Sequence, residues 1–138
     1  MKTERTYNAG LRSEHFIAAV HKQLHGGKKP FPIGKLCAMV AASPAPQFYV
    51  APKRALEMYN LYRKTGRIIP SSERHLQMYL EIFRRYDEMM ASMQGAFKYS
   101  VMQDVLEQPA PSFYIEPSGA TEYYYRAMAA RRRRNRNK

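Results

Sequence analysis

A long amphipathic pattern occupies the middle of the chain. Apolar side chains recur there every three or four positions with charged side chains between them, which is typical of a helix with one buried face. The helix is expected to begin at Ser71 or Ser72, after Pro70, and to end at Gly95, because serine and glycine are common at the two ends of helices. Its predicted buried face consists of Leu76, Tyr79, Leu80, Phe83, Tyr86, Met90 and Met93.

A nine-residue segment occurs twice, 65 residues apart. PAPQFYVAP at 44–52 returns as PAPSFYIEP at 109–117, and nine of the sixteen aligned positions in 44–59 and 109–124 are identical. Such a match within one short chain indicates an internal duplication whose copies have diverged. We call residues 44–49 and 109–114 the PAPxFY segments.

Each PAPxFY segment is predicted to separate two helices. A residue before a proline avoids the helical conformation, so the preceding helices should end near Ser43 and Gln108. Pro52 and Pro117 suit the first turn of the following helices, and Gly66 suits the end of the first of these. The two units would face each other about a pseudo-two-fold axis, with the Phe-Tyr-Val and Phe-Tyr-Ile triplets paired as a small antiparallel ribbon.

These elements predict an all-α fold with about five helices, built from two helix–PAPxFY–helix units around the long central helix. An earlier helix is predicted at about 13–24, where Phe16, Ile17 and Val20 share a face. The length of 138 residues suits one domain. We therefore expect a helical domain over 1–128, with duplicated units at about 34–66 and 97–128. A flexible basic tail is expected at 129–138.

Positive charge is concentrated towards the end of the sequence. The 23 lysines and arginines exceed the 11 aspartates and glutamates, and the formal net charge is +12. A run of like charges stays extended and usually meets a polyanion, so the tail is predicted to contact the phosphates of DNA or RNA without sequence preference. The cations of residues 126–138 are Arg126, Arg131, Arg132, Arg133, Arg134, Arg136 and Lys138. Further cations expected to bind phosphates are Lys53, Arg54, Arg63, Lys64 and Arg67.

Three consecutive tyrosines precede the arginines. Neighbouring side chains on a helix point about 100° apart, so at least one of Tyr123, Tyr124 and Tyr125 must face solvent or a partner. Tyr125 is therefore a candidate for stacking on nucleic-acid bases. Alternatively, Tyr123 and Tyr124 belong to the core and Tyr125 is merely half-exposed.

Catalytic and metal-binding motifs are absent from the sequence. There is no phosphate-binding glycine loop, no nucleophile elbow and no paired-carboxylate motif. Cys37 is the only cysteine, which excludes an intramolecular disulfide and predicts a buried thiol in a reducing compartment. His15, His21 and His25 form a cluster that indicates a polar helix end rather than a metal site. We expect no enzyme activity, no cofactor and no metal.

The PAPxFY segments support two interpretations. In the structural one, their prolines end helices while Phe48 and Phe113 fill the core. In the other, Phe48, Tyr49, Phe113 and Tyr114 form a docking surface for a protein partner or for bases. The segments resemble the APxFY-type segment between helices of short, basic, uncharacterised proteins of bacteria, phages and mobile elements. This resemblance implies no particular activity.

Two classes of function follow from these patterns. The first is a non-enzymatic nucleic-acid-binding protein of architectural, accessory or packaging type. The alternative is a structural or adaptor protein of a larger assembly, such as a virion or ribonucleoprotein particle, with the PAPxFY segments docking its partners. No apolar run reaches the ~18–20 residues of a membrane-spanning helix. We therefore expect no membrane span and a place in the cytoplasm, either nucleoid-associated or within an assembled particle.

Overall fold

Helices account for most of the described structure. A computed structural model describes residues 4–26, 32–68, 72–93 and 95–136. These residues form six α-helices, which confirms the predicted all-α fold and adds one helix to the expected number of about five. The helices are α1 (Glu4–Gly26), α2 (Ile33–Ala41), α3 (Pro52–Thr65), α4 (Glu73–Ser92), α5 (Lys98–Leu106) and α6 (Ala120–Arg136), and a 3-10 helix at Pro117–Gly119 leads into α6.

Prolines, a glycine and a serine define the helix boundaries. Helices α2 and α5 end shortly before the first proline of each PAPxFY segment, as predicted. Pro52 is the first residue of α3, and Gly66 follows its end with a left-handed φ of 73°. The Ser72 hydroxyl caps α4 by accepting a hydrogen bond from the backbone N–H of His75 at 3.3 Å. Ser71, the other predicted start, lies outside the described residues.

The two halves of the chain bury equivalent positions. At an offset of 65, helix α2 corresponds to α5 over its whole length. The buried residues of α2 are Leu36, Cys37, Val40 and Ala41, and those of α5 are Val101, Met102, Val105 and Leu106. At an offset of 66, the buried residues Phe16, Ile17 and Val20 of α1 correspond to Ile82, Phe83 and Tyr86 of α4. The weak sequence similarity between α1 and α4 thus conceals a shared packing pattern.

The halves interleave instead of forming two separate units. Helices α1 and α2 of the first half contact α6 of the second, while α4 and α5 contact α3. At the centre, the N–H of Ala45 donates to the carbonyl of Ala110 and the N–H of Ala110 donates to that of Ala45, both at 2.9 Å. The predicted antiparallel ribbon is therefore a single bridge between the alanines. The expectation that the two aromatic triplets pair as strands was wrong. Their rings stack on each other instead.

The stacked rings follow the same pseudo-symmetry. Phe48 stacks on Tyr114 and Tyr49 stacks on Phe113, each pair with ring centroids 6.3 Å apart. Residues 48 and 113, and residues 49 and 114, are equivalent at the offset of 65. Each stack therefore joins a phenylalanine of one PAPxFY segment to a tyrosine of the other.

The backbone departs from this symmetry at Ser112. In the first copy, the Phe48 N–H donates to the carbonyl of Leu106 at 2.9 Å. In the second copy, the Ser112 hydroxyl donates to the carbonyl of Ala41 at 3.1 Å and accepts a hydrogen bond from the Tyr114 N–H at 2.9 Å. Tyr114 has a φ of 56°, the left-handed conformation that a bulky side chain rarely adopts. The differing residue of the motif, Gln47 or Ser112, thus accompanies two different backbone paths.

The buried face of α4 differs from the predicted one. Met78 and Ile82 are buried with Phe83 and Tyr86, whereas Leu80 and Met93 are exposed. Apolar residues cover more than half of the circumference in the first half of this helix, so periodicity alone does not select the face. The contacts of α4 with α3 and α5 select it.

The predicted extended tail is mostly helical. Residues 129–136 continue α6 to Arg136, and residues 137–138 lie outside the described part. Alanine and arginine are both strong helix formers, and neither glycine nor proline interrupts α6. Ion pairs of Arg131 and Arg134 with Glu14 of α1 also hold this end of α6 against the domain.

Candidate nucleic-acid interface

One exposed face of α6 carries an aromatic ring and several arginines. We call Tyr125, Arg126, Arg132, Arg133 and Arg136 the α6 stripe, and all five are exposed. At about 100° per residue, these positions fall within roughly a third of the helix circumference. The stripe therefore presents its cations in one direction, along about three turns of helix.

Two arginines of the predicted site point elsewhere. Arg131 contacts Glu14 at 3.2 Å, and Arg134 forms a hydrogen-bonded ion pair with the same carboxylate. Both lie on the side of α6 that faces α1. Their charge is partly neutralised by Glu14, so they contribute less to an anion-binding surface than the sequence suggests.

Arg126 also has an acidic neighbour, but an exposed one. It pairs with Glu122 at 2.5 Å, one helical turn earlier. Both side chains are mostly in solvent, and exposed pairs of this spacing contribute only about 0.3–0.5 kcal/mol to helix stability. The ion pair with Glu122 should therefore compete only weakly with a phosphate for Arg126.

The predicted cations of α3 form two further groups. Lys53 and Arg54 lie in its first turn, and Arg63, Lys64 and Arg67 lie at its end, all of them exposed. Helices α3 and α6 do not contact each other in the part of the chain that the structure describes. The structure therefore does not join these groups to the α6 stripe, and Lys138 lies outside the described residues.

The three tyrosines have three different environments. Tyr124 is buried, and its hydroxyl is hydrogen-bonded to Nε2 of His21 at 2.8 Å. The Tyr123 hydroxyl accepts a hydrogen bond from Nε of Arg12 at 3.0 Å, and its ring packs against Phe16. Tyr125 is 55% exposed. The environments agree with the alternative in which Tyr123 and Tyr124 belong to the core and Tyr125 is half-exposed, with its ring edge-on to that of Tyr124.

The histidines of α1 connect helices rather than converge on a common point. His15 Nδ1 is hydrogen-bonded to the Tyr49 hydroxyl at 2.6 Å, whereas His21 is bonded to Tyr124. His25 packs edge-on to the ring of His21. Among residues 4–26, 32–68, 72–93 and 95–136, no three His, Cys, Asp or Glu side chains are grouped as metal ligands.

The PAPxFY aromatics divide into core and surface. Phe48 and Phe113 are 1% and 2% exposed, which agrees with their predicted structural role as core residues. Tyr49 and Tyr114 are half-buried, and burial raises the pKa of both hydroxyls. Only the two tyrosines could therefore take part in the predicted docking surface.

A cleft of about 760 Å³ opens beside these tyrosines. Helices α1, α3 and α4 form its walls, and both PAPxFY segments line its base. Arg12, Arg54 and His75 add polar groups to it. Burial lowers the pKa of His75, and the positive charge of Arg12 lowers it further. The sequence prediction missed this cleft because Arg12 and His75 come from distant segments. The available signal was the offset of 66, which places Arg12 opposite Met78 and Ala9 opposite His75.

Cys37 is a fully buried thiol, as predicted. Burial raises its pKa, and a hydrogen bond with Thr121 opposes that rise. A buried thiol with a raised pKa forms little thiolate, the reactive species.

Comparisons of the chain with known protein families, with curated proteins and with solved structures find no match. None of the helices within the described residues combines the length and apolar character needed to cross a membrane.

Proposed function

We propose that this protein is a non-enzymatic nucleic-acid-binding protein of architectural, accessory or packaging type, which contacts phosphates through the α6 stripe. The exposed row of Tyr125, Arg126, Arg132, Arg133 and Arg136 on one helix face is the observation that carries this proposal. Arginine binds phosphate oxygens with paired hydrogen bonds, and a rigid helix presents several of them at once. The proposed place of action is the cytoplasm, in association with a nucleoid or an assembled particle.

Binding is expected to be largely independent of sequence. Phosphate contacts position a protein on nucleic acid but carry no direct sequence information. The arginines of the stripe are expected to follow the phosphate backbone, where they read no base edges. The net charge of +12 adds a long-range attraction that accelerates the encounter.

The decisive experiment is a salt titration of binding to duplex DNA of mixed sequence. The test variant replaces Arg132, Arg133 and Arg136 by glutamine, which preserves helix propensity. Loss of three phosphate contacts should make the slope of log K against log salt shallower by about 3. Circular dichroism at 222 nm should show that α6 remains helical.

A matched control removes the same charge from another helix. Replacing Arg63, Lys64 and Arg67 by glutamine lowers the net charge equally but leaves the α6 stripe intact. This control should change the slope by less than about 1. Equal effects of the two triple variants would mean that total charge, not a defined surface, governs binding, and would contradict the proposal.

Tyr125 distinguishes single strands from duplexes. Its exposed ring offers a stacking surface to unpaired bases, a contact worth about 1–3 kcal/mol per base. Tyr125→Leu should weaken binding to single-stranded DNA or RNA by about tenfold and leave duplex binding unchanged. An unchanged affinity for all three nucleic acids would remove Tyr125 from the site and leave the arginines alone.

The adaptor function is the second candidate and rests on the cleft beside Tyr49 and Tyr114. It would be favoured if neither the wild-type chain nor its triple variants bind DNA or RNA above the level of an unrelated basic protein. In that case the α6 stripe would serve to contact an acidic protein.

A further inference from the structure

The cleft beside the PAPxFY segments lies where the two halves of the molecule meet. Equivalent positions of α1 and α4 both line it, with Ala9 matched to His75 and Arg12 matched to Met78. The matched residues differ in chemistry, so the cleft is asymmetric although the surrounding packing is not. It shares no residue with the α6 stripe.

Aromatic rings form much of the cleft's inner surface. The half-buried rings of Tyr49 and Tyr114 lie at its base, and Tyr79 lines its α4 wall. Stacking against Phe113 holds Tyr49 in place, and stacking against Phe48 holds Tyr114. Rings that are already ordered lose little entropy when a flat ligand packs against them.

Positive charge surrounds these rings. Arg12 and Arg54 line the cleft, and among the described residues no aspartate or glutamate does. Arg54 forms no ion pair within the described part of the chain. Arg12 donates from its Nε to the Tyr123 hydroxyl and lies over the Tyr123 ring, 5.1 Å from the ring centroid, and it forms no ion pair with the described residues either. Burial is the main cause of the lowered pKa of His75, and the positive charge of Arg12 lowers it further. The cleft is therefore complementary to a ligand that is both flat and anionic.

We propose that the cleft binds one nucleotide, with its base against the tyrosine rings and its phosphate between Arg12 and Arg54. The volume of about 760 Å³ is within the range of about 300–1,000 Å³ that is usual for small-ligand sites. A nucleotide satisfies both features of the cleft, whereas inorganic phosphate uses only the arginines and a nucleoside only the rings. This proposal goes beyond the α6 stripe and does not depend on it.

The test is calorimetric titration of the full chain with adenosine 5′-monophosphate. Saturable binding of one molecule is expected, with adenosine and ribose 5-phosphate each binding at least about tenfold more weakly. Arg54→Gln should weaken binding of the monophosphate by about tenfold, because it removes a charged hydrogen bond from an exposed position that does not support the fold. Arg63→Gln on the same helix is the matched control and should have no effect.

Three results would overturn the proposal. They are absence of saturable binding, equal binding of ribose 5-phosphate and the monophosphate, and equal weakening by Arg54→Gln and Arg63→Gln. A heteronuclear NMR titration gives an independent readout, since amide shifts should concentrate around Tyr49 and Tyr114 rather than along α6.

A single-stranded oligonucleotide then identifies the source of the nucleotide. If Arg54→Gln weakens binding of both the oligonucleotide and the monophosphate, the cleft holds a nucleotide of a strand. If it weakens only the monophosphate, the ligand is a free nucleotide. Both results support nucleotide binding in the cleft. Neither depends on whether the glutamine variant of the α6 stripe loses duplex binding.

Discussion

Helices α3 and α6 occupy equivalent places in the two halves, yet they end differently. Helix α3 stops at Thr65, where Gly66 takes a left-handed conformation. The position equivalent to Gly66 is Arg131, which continues α6 and pairs with Glu14. The position equivalent to Glu14 on α4 is Leu80, which is exposed and offers no charge. The helix end and its partner therefore differ together.

This difference shows how two halves with similar packing can present different surfaces. The buried positions of α2 and α5 match one for one, although only Val40 and Val105 are identical, so the pattern of burial is shared while the side chains differ. The exposed positions have diverged freely, and only the second half carries the α6 stripe. The first copy ends in a short helix, whereas the second ends in a longer helix with a cationic face.

The equivalence of the two PAPxFY segments can be tested at their buried phenylalanines. Phe48→Ala and Phe113→Ala should each lower the free energy of unfolding by about 3–5 kcal/mol, because each removes a fully buried ring. Urea unfolding followed by circular dichroism measures both effects. Phe97→Ala is the control, since Phe97 is 82% exposed and its loss should change stability by less than about 0.5 kcal/mol. A small effect at only one of the two phenylalanines would show that the two PAPxFY segments are not equivalent.

The backbone difference at the equivalent tyrosines predicts a reversal of sign. At position 114, glycine should be more stable than alanine by about 1 kcal/mol, because only glycine adopts a φ of 56° without strain. At position 49, alanine should be more stable than glycine by about 0.5–1 kcal/mol. Comparing the two variants at each position cancels the loss of the ring. The same order at both positions would contradict the structural asymmetry.

The end of α3 gives a third comparison. Gly66→Ala should lower the free energy of unfolding by about 1 kcal/mol, since alanine is strained at a φ of 73°. There is open space around Gly66, so a clash does not contribute. Gly10→Ala, within helix α1, should instead raise stability by about 0.5–1 kcal/mol. Thermal unfolding of both variants provides the measurement, and destabilisation by Gly10→Ala would be the contradicting result.

The smallest predicted effect is a pH dependence from His75, whose equivalent in α1 is Ala9. Burial and Arg12 lower the pKa of His75 in the folded state, so below its usual pKa of 6.5 the unfolded chain binds a proton that the folded chain does not. Stability should therefore fall as pH drops below about 6.5, until the folded histidine is also protonated. His75→Gln should reduce this loss in unfolding measurements across that range. An unchanged pH profile would exclude His75 as its source.

Local signals predicted the helices well, and the relation between helices poorly. Pro52 and Gly66 act through their own backbone geometry, so both ends of α3 follow from the sequence. The buried face of α4 did not, because Leu80 and Ile82 are equally apolar and only the contacts with α3 and α5 distinguish them. The pairing of Ala45 with Ala110 likewise depends on the whole fold.

The candidate site was predicted only in part, because it too depends on how the helices are arranged. The charge pattern indicated the arginines of α6, but we expected them to lie in an extended tail. Whether an arginine is exposed depends on its helical phase and on Glu14, which is far away in the sequence. The PAPxFY aromatics and Arg54 of the cleft were predicted site residues, but the cleft itself was missed because most of its other residues come from three helices that carry no recognisable motif.

The interleaved arrangement also has a consequence for the rate of folding. All-helical proteins commonly fold in microseconds to milliseconds, because most of their contacts are close in sequence. Here the hydrogen bond between His21 and Tyr124 joins residues 103 positions apart, and α3 completes its packing only when α5 arrives. Large loops must therefore close before either core is complete. This small helical protein should fold more slowly than its helix content suggests, at a rate closer to that of a mixed α/β domain.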